Sequence, residues 1–282
     1  MLNHLIRNTD CMMKNRVVGL LSAVVLSAMF SVRVGAFVVG GINYEVLNDT
    51  SVAVISLLEG HYEGHVVIPE HIRHGGTTYT VTTIKSLAFC ECTEMLSIQF
   101  PATLTSIGGY TFEQCTGLRK LVFPDALETI GGYAFNECAC LEEVHFGRGL
   151  KTLGNESFSN CLSLRAAVLP DGLKSVGHYA FAGCRSLQEA ILPPSVIALG
   201  RYAFYGCPRL ARVVLPASLH RFQEGTFQGC TTLQAVQVPY RRPLEVISNT
   251  FDAARVTIHV PSGCREAYEK APVWKDFRVL EE

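Results

Sequence analysis

The chain has 282 residues, 48% of them hydrophobic and 17% charged, and its 24 lysines and arginines are scattered among 25 acidic residues for a formal net charge of -1. A chain of this size and composition buries a large core. With no run of basic residues to track phosphates, nucleic acid is not an expected partner.

At the N-terminus, Lys14 and Arg16 precede an apolar run from Val17 to Val32, and Val34-Gly35-Ala36 places small residues ahead of Phe37. This pattern reads as an export signal over residues 1–36, removed on secretion. A retained membrane anchor is the competing reading, because the apolar stretch to Gly41 is nearly long enough to span, but Arg33 interrupts it. Cys11 lies before the run, so it is not an acylation site of the lipoprotein kind. The processed chain is therefore expected outside the cytoplasm with no membrane span, whether secreted, on the cell surface or in the periplasm.

Residues 37–82 read as an N-terminal β cap. Val66-Val67-Ile68-Pro69 has the form of a strand stopped by proline, and Gly75-Gly76 ahead of Thr77-Thr78-Tyr79-Thr80-Val81-Thr82 predicts a hairpin that closes a sheet edge. His61, His65, His71 and His74 fall here, but strand alternation scatters side chains over two faces, so they read as solvated loop residues. No metal or other cofactor is expected.

Residues 83–254 are a repeat array. Phe89, Phe112, Phe135, Phe158, Phe181, Phe204 and Phe227 recur every 23 residues, and Cys92, Cys115, Cys138, Cys161, Cys184, Cys207 and Cys230 each follow three residues later. A period in the twenties marks one turn of a solenoid, too small to bury its apolar side alone. The unit from Cys115 reads Cys115-x-x-Leu118-x-x-Leu121-x-Phe123-Pro124-x-x-Leu127-x-x-Ile130-Gly131-x-x-Ala134-Phe135. Leu121-Val122-Phe123 alternates with the period of a strand, and Pro124 ends it by withholding a backbone donor. Equivalent strands are expected to stack about 4.8 Å apart into one continuous parallel sheet over an apolar spine. Gly108, Gly131, Gly154, Gly177 and Gly200 are expected at a tight bend, with the following Ala-Phe segment a short helical or 3-10 stretch on the convex side.

This spacing resembles the BspA-like, or Treponema pallidum type, leucine-rich repeats over residues 42–282. The resemblance implies an exported or surface-exposed binder, since members of the family have been linked to adhesion to host matrix proteins or other bacteria. The fold class expected is thus an α/β leucine-rich repeat solenoid.

At residues 255–282 the repeat decays into a C-terminal helical cap: Phe251 comes 24 residues after Phe227, Ala254 replaces the ladder cysteine, and a short helix over Arg265 to Lys270 ends near Pro272. Tyr268, Trp274 and Phe277 are available to cover the last core turn.

Eleven cysteines in an exported chain would ordinarily suggest disulfides. Seven occupy one inward position, however, where parallel side chains do not suit the dihedral of a bridge, so they read as a buried thiol ladder. Cys90, Cys140 and Cys264 lie off it, with Cys90 and Cys140 placed toward the convex surface. No nucleophile elbow, metalloprotease helix or phosphate loop is present, so the chain reads as non-enzymatic. A glycan-active or hydrolytic enzyme would need a convergent acid pair or nucleophile.

Between the ladder positions, strand residues point outward. One such row holds Gln99, Val122, His145, Val168, Ile191, Val214 and Gln237, and Arg119, Lys120, Glu143, Glu189 and Arg212 rim it. Outward β-branched residues suit strands in any case. The functional reading is an apolar stripe for a protein or cell-surface partner, and the alternative is a structural envelope component or non-enzymatic subunit whose sheet packs on another domain. The oligomeric state is left open.

Overall fold

The computed structural model describes residues 36–246, 249–251 and 255–282. The expected export segment up to Gly35 and the position of Ala254 lie outside the described residues. The chain forms a β-solenoid with a 23-residue step. Its first residues make an antiparallel meander of β1 (Ala36–Val39), β2 (Ile42–Asn48) and β3 (Ser51–Ile55). The strand β4 (Gly64–Val67) follows, then a hairpin of β5 (His71–His74) and β6 (Thr77–Ile84). Gly75 and Gly76 turn that hairpin at φ of 57° and 84°, a conformation closed to most residues with a Cβ.

The hairpin forms, but it does not close the sheet edge. β6 lies within the sheet, parallel to β3 on one side and to the next turn on the other, and β2 and β1 continue beyond β3. His65, His71 and His74 lie in strands rather than loops, and the ring of His74 stacks on Phe37 with centroids 3.8 Å apart.

The repeat turns from Met95 to Leu199 contribute two strands each, and the two that follow contribute one. The longer runs outward-facing through β7 (Met95–Gln99), β9 (Lys120–Val122), β11 (Glu143–His145), β13 (Ala166–Val168), β15 (Glu189–Ile191), β17 (Arg212–Val214) and β18 (Ala235–Gln237). The second is a two-residue rung that the sequence reading missed: β8 (Ser106–Ile107), β10 (Thr129–Ile130), β12 (Thr152–Leu153), β14 (Ser175–Val176) and β16 (Ala198–Leu199), each parallel to its predecessor.

Only the second column is a continuous ladder, running on from β6 to β16. The outward column, expected as one sheet, is divided into β4–β7, β9–β11 and a run from β13 onward. Three-residue strands carry few bonds each. Between β11 and β13 the contact falls back on single bonds such as Arg165 N–H to Glu142 O at 3.3 Å.

The Ala-Phe segments, expected to be helical, are extended turns bonded to the next repeat. Tyr110, Phe112 and Gln114 donate their amides to Gly132, Ala134 and Asn136 at 2.7–2.9 Å, and later turns repeat the pattern. Two left-handed residues per turn aim the amides this way: Leu87, Tyr110, Tyr133, Glu156, Tyr179 and Tyr202 in one row, and Glu91, Gln114, Glu137 and Asn160 in the other. A helix would turn the same donors back on its own chain.

Inside, the phenylalanines stack face to face from Phe89 to Phe251, with neighbouring centroids 4.9–5.6 Å apart and planes within 9° of parallel. Tyr62 extends the stack before Phe89 at 4.6 Å. The stack absorbs the 24-residue step to Phe251 without a break. The recurrent glycines sit where backbones of successive turns touch: a Cβ on Gly131 would lie 2.6 Å from the Gly108 carbonyl carbon. Close approach of turns, not the bend alone, excludes a side chain there.

Beyond β18 come β19 (Thr257–Val260), α1 (Arg265–Lys270), a 3-10 turn at Trp274–Asp276 and β20 (Arg278–Glu281), with β19 and β20 extending the outward column in parallel. Trp274 is buried against Phe222, Tyr268 and Phe251, and its indole N–H donates to Leu244 O at 2.7 Å.

Candidate functional site

On the outward column, alternation sets the site. Leu121, Val144, Ala167, Ala190 and Val213 are buried, so the residues on either side of each point to solvent. Register aligns Val122 with His145, Val168 with Ile191, and Ile191 with Val214, and Val214 with Gln237. Val122 and Val168 are 56% and 55% exposed, while Ile191 and Val214 are half-buried. The row runs further than its repeats indicate: Val67 pairs with Gln99 at one end, and His259 and Leu280 continue it beyond Gln237. The two-residue alternation of Val66-Val67-Ile68 carried that signal for Val67.

The rim charges lie beside the row and are paired with one another along the stack. Lys120 meets Glu143 at 2.9 Å, and Glu143 also binds His145 of its own strand. Hydrogen bonds from Lys120 and then from His145 hold the Glu143 carboxyl below its usual range. Arg212 pairs with Glu189. Glu142 bridges two turns at once, bonding Arg119 at 2.9 Å and Arg165 at 2.8 Å. Exposed pairs of this kind are worth about 0–1 kcal/mol each. They leave the apolar row flanked by neutralised charge.

The ladder cysteines are buried, and six of them do more than fill space. Cys115, Cys138, Cys161, Cys184, Cys207 and Cys230 each donate Sγ–H to the carbonyl of the phenylalanine one turn back, at 3.0–3.3 Å. Burial pushes the thiols of Cys138 and Cys161 well up and that of Cys184 up to about 12. The bond to Cys230, then burial, raises Cys207. Of the off-ladder cysteines, Cys140 is exposed, whereas Cys90 is buried, contrary to the surface position expected of it, and Cys264 is buried too. Among the described residues no cluster of three or more His, Cys, Asp or Glu is arranged to hold a metal, and no helix is long and apolar enough to cross a membrane.

Stacked parallel strands, a leucine and phenylalanine spine and a repeat of fixed length define a leucine-rich repeat solenoid. The chain belongs to the BspA type leucine rich repeat family, whose repeat region matches in six copies over residues 76–170 and 151–270. It is similar in structure to a leucine-rich repeat protein of Treponema pallidum, with 29% identity and a TM-score of 0.59 over 68% of this chain and 87% of that one. A leucine-rich repeat protein from Bacteroides ovatus shares the fold at 21% identity, with a TM-score of 0.57 over 87% of this chain and 76% of that one. No curated protein sequence matches significantly.

Proposed function

We propose that this is an exported, non-catalytic leucine-rich repeat protein that binds a protein or another cell through the outward face of its strands. The observation that carries the reading is the outward row, with Val122 in register with His145 and Val168 in register with Ile191 and Val214, apolar at its centre and exposed at Val122 and Val168, beside the charges of Arg119, Lys120, Glu143, Glu189 and Arg212 already matched within the chain. Solenoids use such extended surfaces for protein recognition, and an apolar centre inside a polar rim is the anatomy of a protein interface. The N-terminal charge and hydropathy pattern supports export of a chain processed after residue 36, with residues 37–82 and 255–282 as caps on an array over 83–254.

The test is capture of partners from host-matrix and bacterial-surface extracts by the purified protein and by Val168→Glu, Ile191→Glu and Val214→Glu variants whose circular dichroism matches the parent. Loss of the captured partner in these variants is expected. Undiminished capture by all three overturns the reading.

A further inference from the structure

Along the corner where each turn leaves its cysteine and enters the outward strand, exposed charge is sorted by sign. The first turns carry Glu63 and Glu94 there, and later turns carry Arg185 and Arg209, after which the row ends uncharged at Thr231 and Thr232. Between them the row is uncharged: Thr116, Gly117, Ala139, Cys140, Leu162 and Ser163. Backbone bonds fix the alignment, with Gly64 N–H donating to Glu94 O, Ser163 to Ala139 O and Ser186 to Leu162 O. The strand-face charges are paired within the chain, whereas Glu63, Glu94, Arg185 and Arg209 form no ion pair among the described residues.

The sorting has a centre. Counting turns from that of Cys140, Glu94 lies two before and Arg185, in the adjacent column that holds Ala139, two after, while Glu63 lies three before and Arg209 three after. Gly117 and Ser163 flank Cys140 at one turn on either side. A row whose charges change sign about its midpoint is complementary to itself when reversed, which is the requirement of an isologous two-fold contact. We infer that this corner is an interface for a second, antiparallel copy of the chain, with Glu94 facing the partner's Arg185, Glu63 the partner's Arg209, and the small neutral residues around Cys140 at the axis. The small side chains of the centre let two backbones approach, and the opposed charges fix direction and register and supply the salt-sensitive share of the affinity that the dimer needs. This interface uses different residues from the strand-face stripe, so partner capture and self-association respond to different variants.

The experiment is sedimentation velocity of the purified protein across ionic strength. A dimer at low salt that dissociates as salt rises is expected, since exposed pairs are screened. Glu63→Arg with Glu94→Arg, and Arg185→Glu with Arg209→Glu, should each give monomers, and an equimolar mixture of the two should recover the dimer mass. All four positions are exposed, and circular dichroism checks folding. Oxidation with a diazene, which takes two electrons and two protons from a thiol pair and is reduced to the hydrazine, should link Cys140 to the partner's Cys140 in the parent, as mapped by peptide mass, and not in either charge-reversed variant alone. A monomer at low salt, a dimer indifferent to both reversals, or a dimer that forms no Cys140 link overturns the inference.

Discussion

The Sγ of Cys161 donates a hydrogen bond to the carbonyl oxygen of Phe135, 3.3 Å away and one turn back. The bond ties the two ladders together: the thiol is apolar enough for the interior, yet adds a second donor to a buried carbonyl that also accepts the Cys138 amide. Cys161→Ala removes the donor and leaves a small void. The Phe135 carbonyl keeps the Cys138 amide as a donor at 3.4 Å, so the expected cost is the lost second bond and the lost packing, about 1–3 kcal/mol together. Cys161→Ser keeps a donor and should cost less. Urea denaturation of the two variants measures the difference.

Ser157 shows the opposite case. It occupies the row held by Ala134, Ala180 and Ala203 and by Thr111 and Thr226, whose hydroxyls donate to the Gly108 and Gln223 carbonyls at 2.7 Å, whereas the Ser157 hydroxyl is buried with no hydrogen-bond partner among the described residues. Ser157→Ala removes an unsatisfied polar atom without opening a sizeable cavity. It should raise stability by about 1–2 kcal/mol. A lower denaturation midpoint for this variant would contradict that account of the row.

The buried thiols set an alkaline limit. Their pKa values are raised in the folded chain, chiefly by burial, so folding holds their protons more tightly than the unfolded state does. The associated stability is complete below the ordinary thiol range and is lost as pH climbs from there toward the folded values. Each thiol that ionises only on unfolding steepens the loss by about 1.4 kcal/mol per pH unit. Thermal melts should hardly change on this account between pH 7 and 8 and fall progressively above about pH 9. Replacing Cys184 with alanine should flatten that fall while lowering the neutral-pH melt.

Two glycines separate the two uses of that residue. A Cβ at Gly154 would lie 2.4 Å from the Gly132 nitrogen and 2.5 Å from the Gly131 carbonyl carbon, so Gly154→Ala must push neighbouring turns apart, at a cost of about 3 kcal/mol or more. Gly206 has φ of 66° and open space around it, and Asn160 fills the matching position at φ of 58°. Gly206→Asn should therefore change stability by less than about 1 kcal/mol. Chemical denaturation of both variants tests the contrast.

The 23-residue period carries the fold because stacking puts identical positions above one another, and Phe135, Phe158 and Phe181 lie in one parallel stack as that phase requires. The outward row was legible for the same reason, whereas the ion pairs along its rim were not read, although Arg119, Glu142 and Arg165 stand one period apart. The turn segments were not. Tyr110, Gln114, Tyr133 and Glu137 resemble helix residues, and their left-handed conformations are stabilised by amide bonds to the next turn that no local propensity reports. The clue lay late in the array, where Gly183, Gly206 and Gly229 replace the Gln114 and Asn160 positions and reveal what backbone they adopt. The second column stayed hidden because a rung such as Ser106–Ile107 is too short to show alternation.

Since the interior turns meet their neighbours through the same ring stack and the same thiol-to-carbonyl bond, the protein is a cassette system. Excising one full period from the interior, such as residues 139–161, would bring Cys138 directly before Leu162 and restore the same sulfur-to-carbonyl and ring-on-ring neighbours across the splice. Gene segments of that length can be lost or duplicated while the spine stays intact. Natural selection could in this way lengthen or shorten the recognition surface in whole steps, with no new core to invent at the junction.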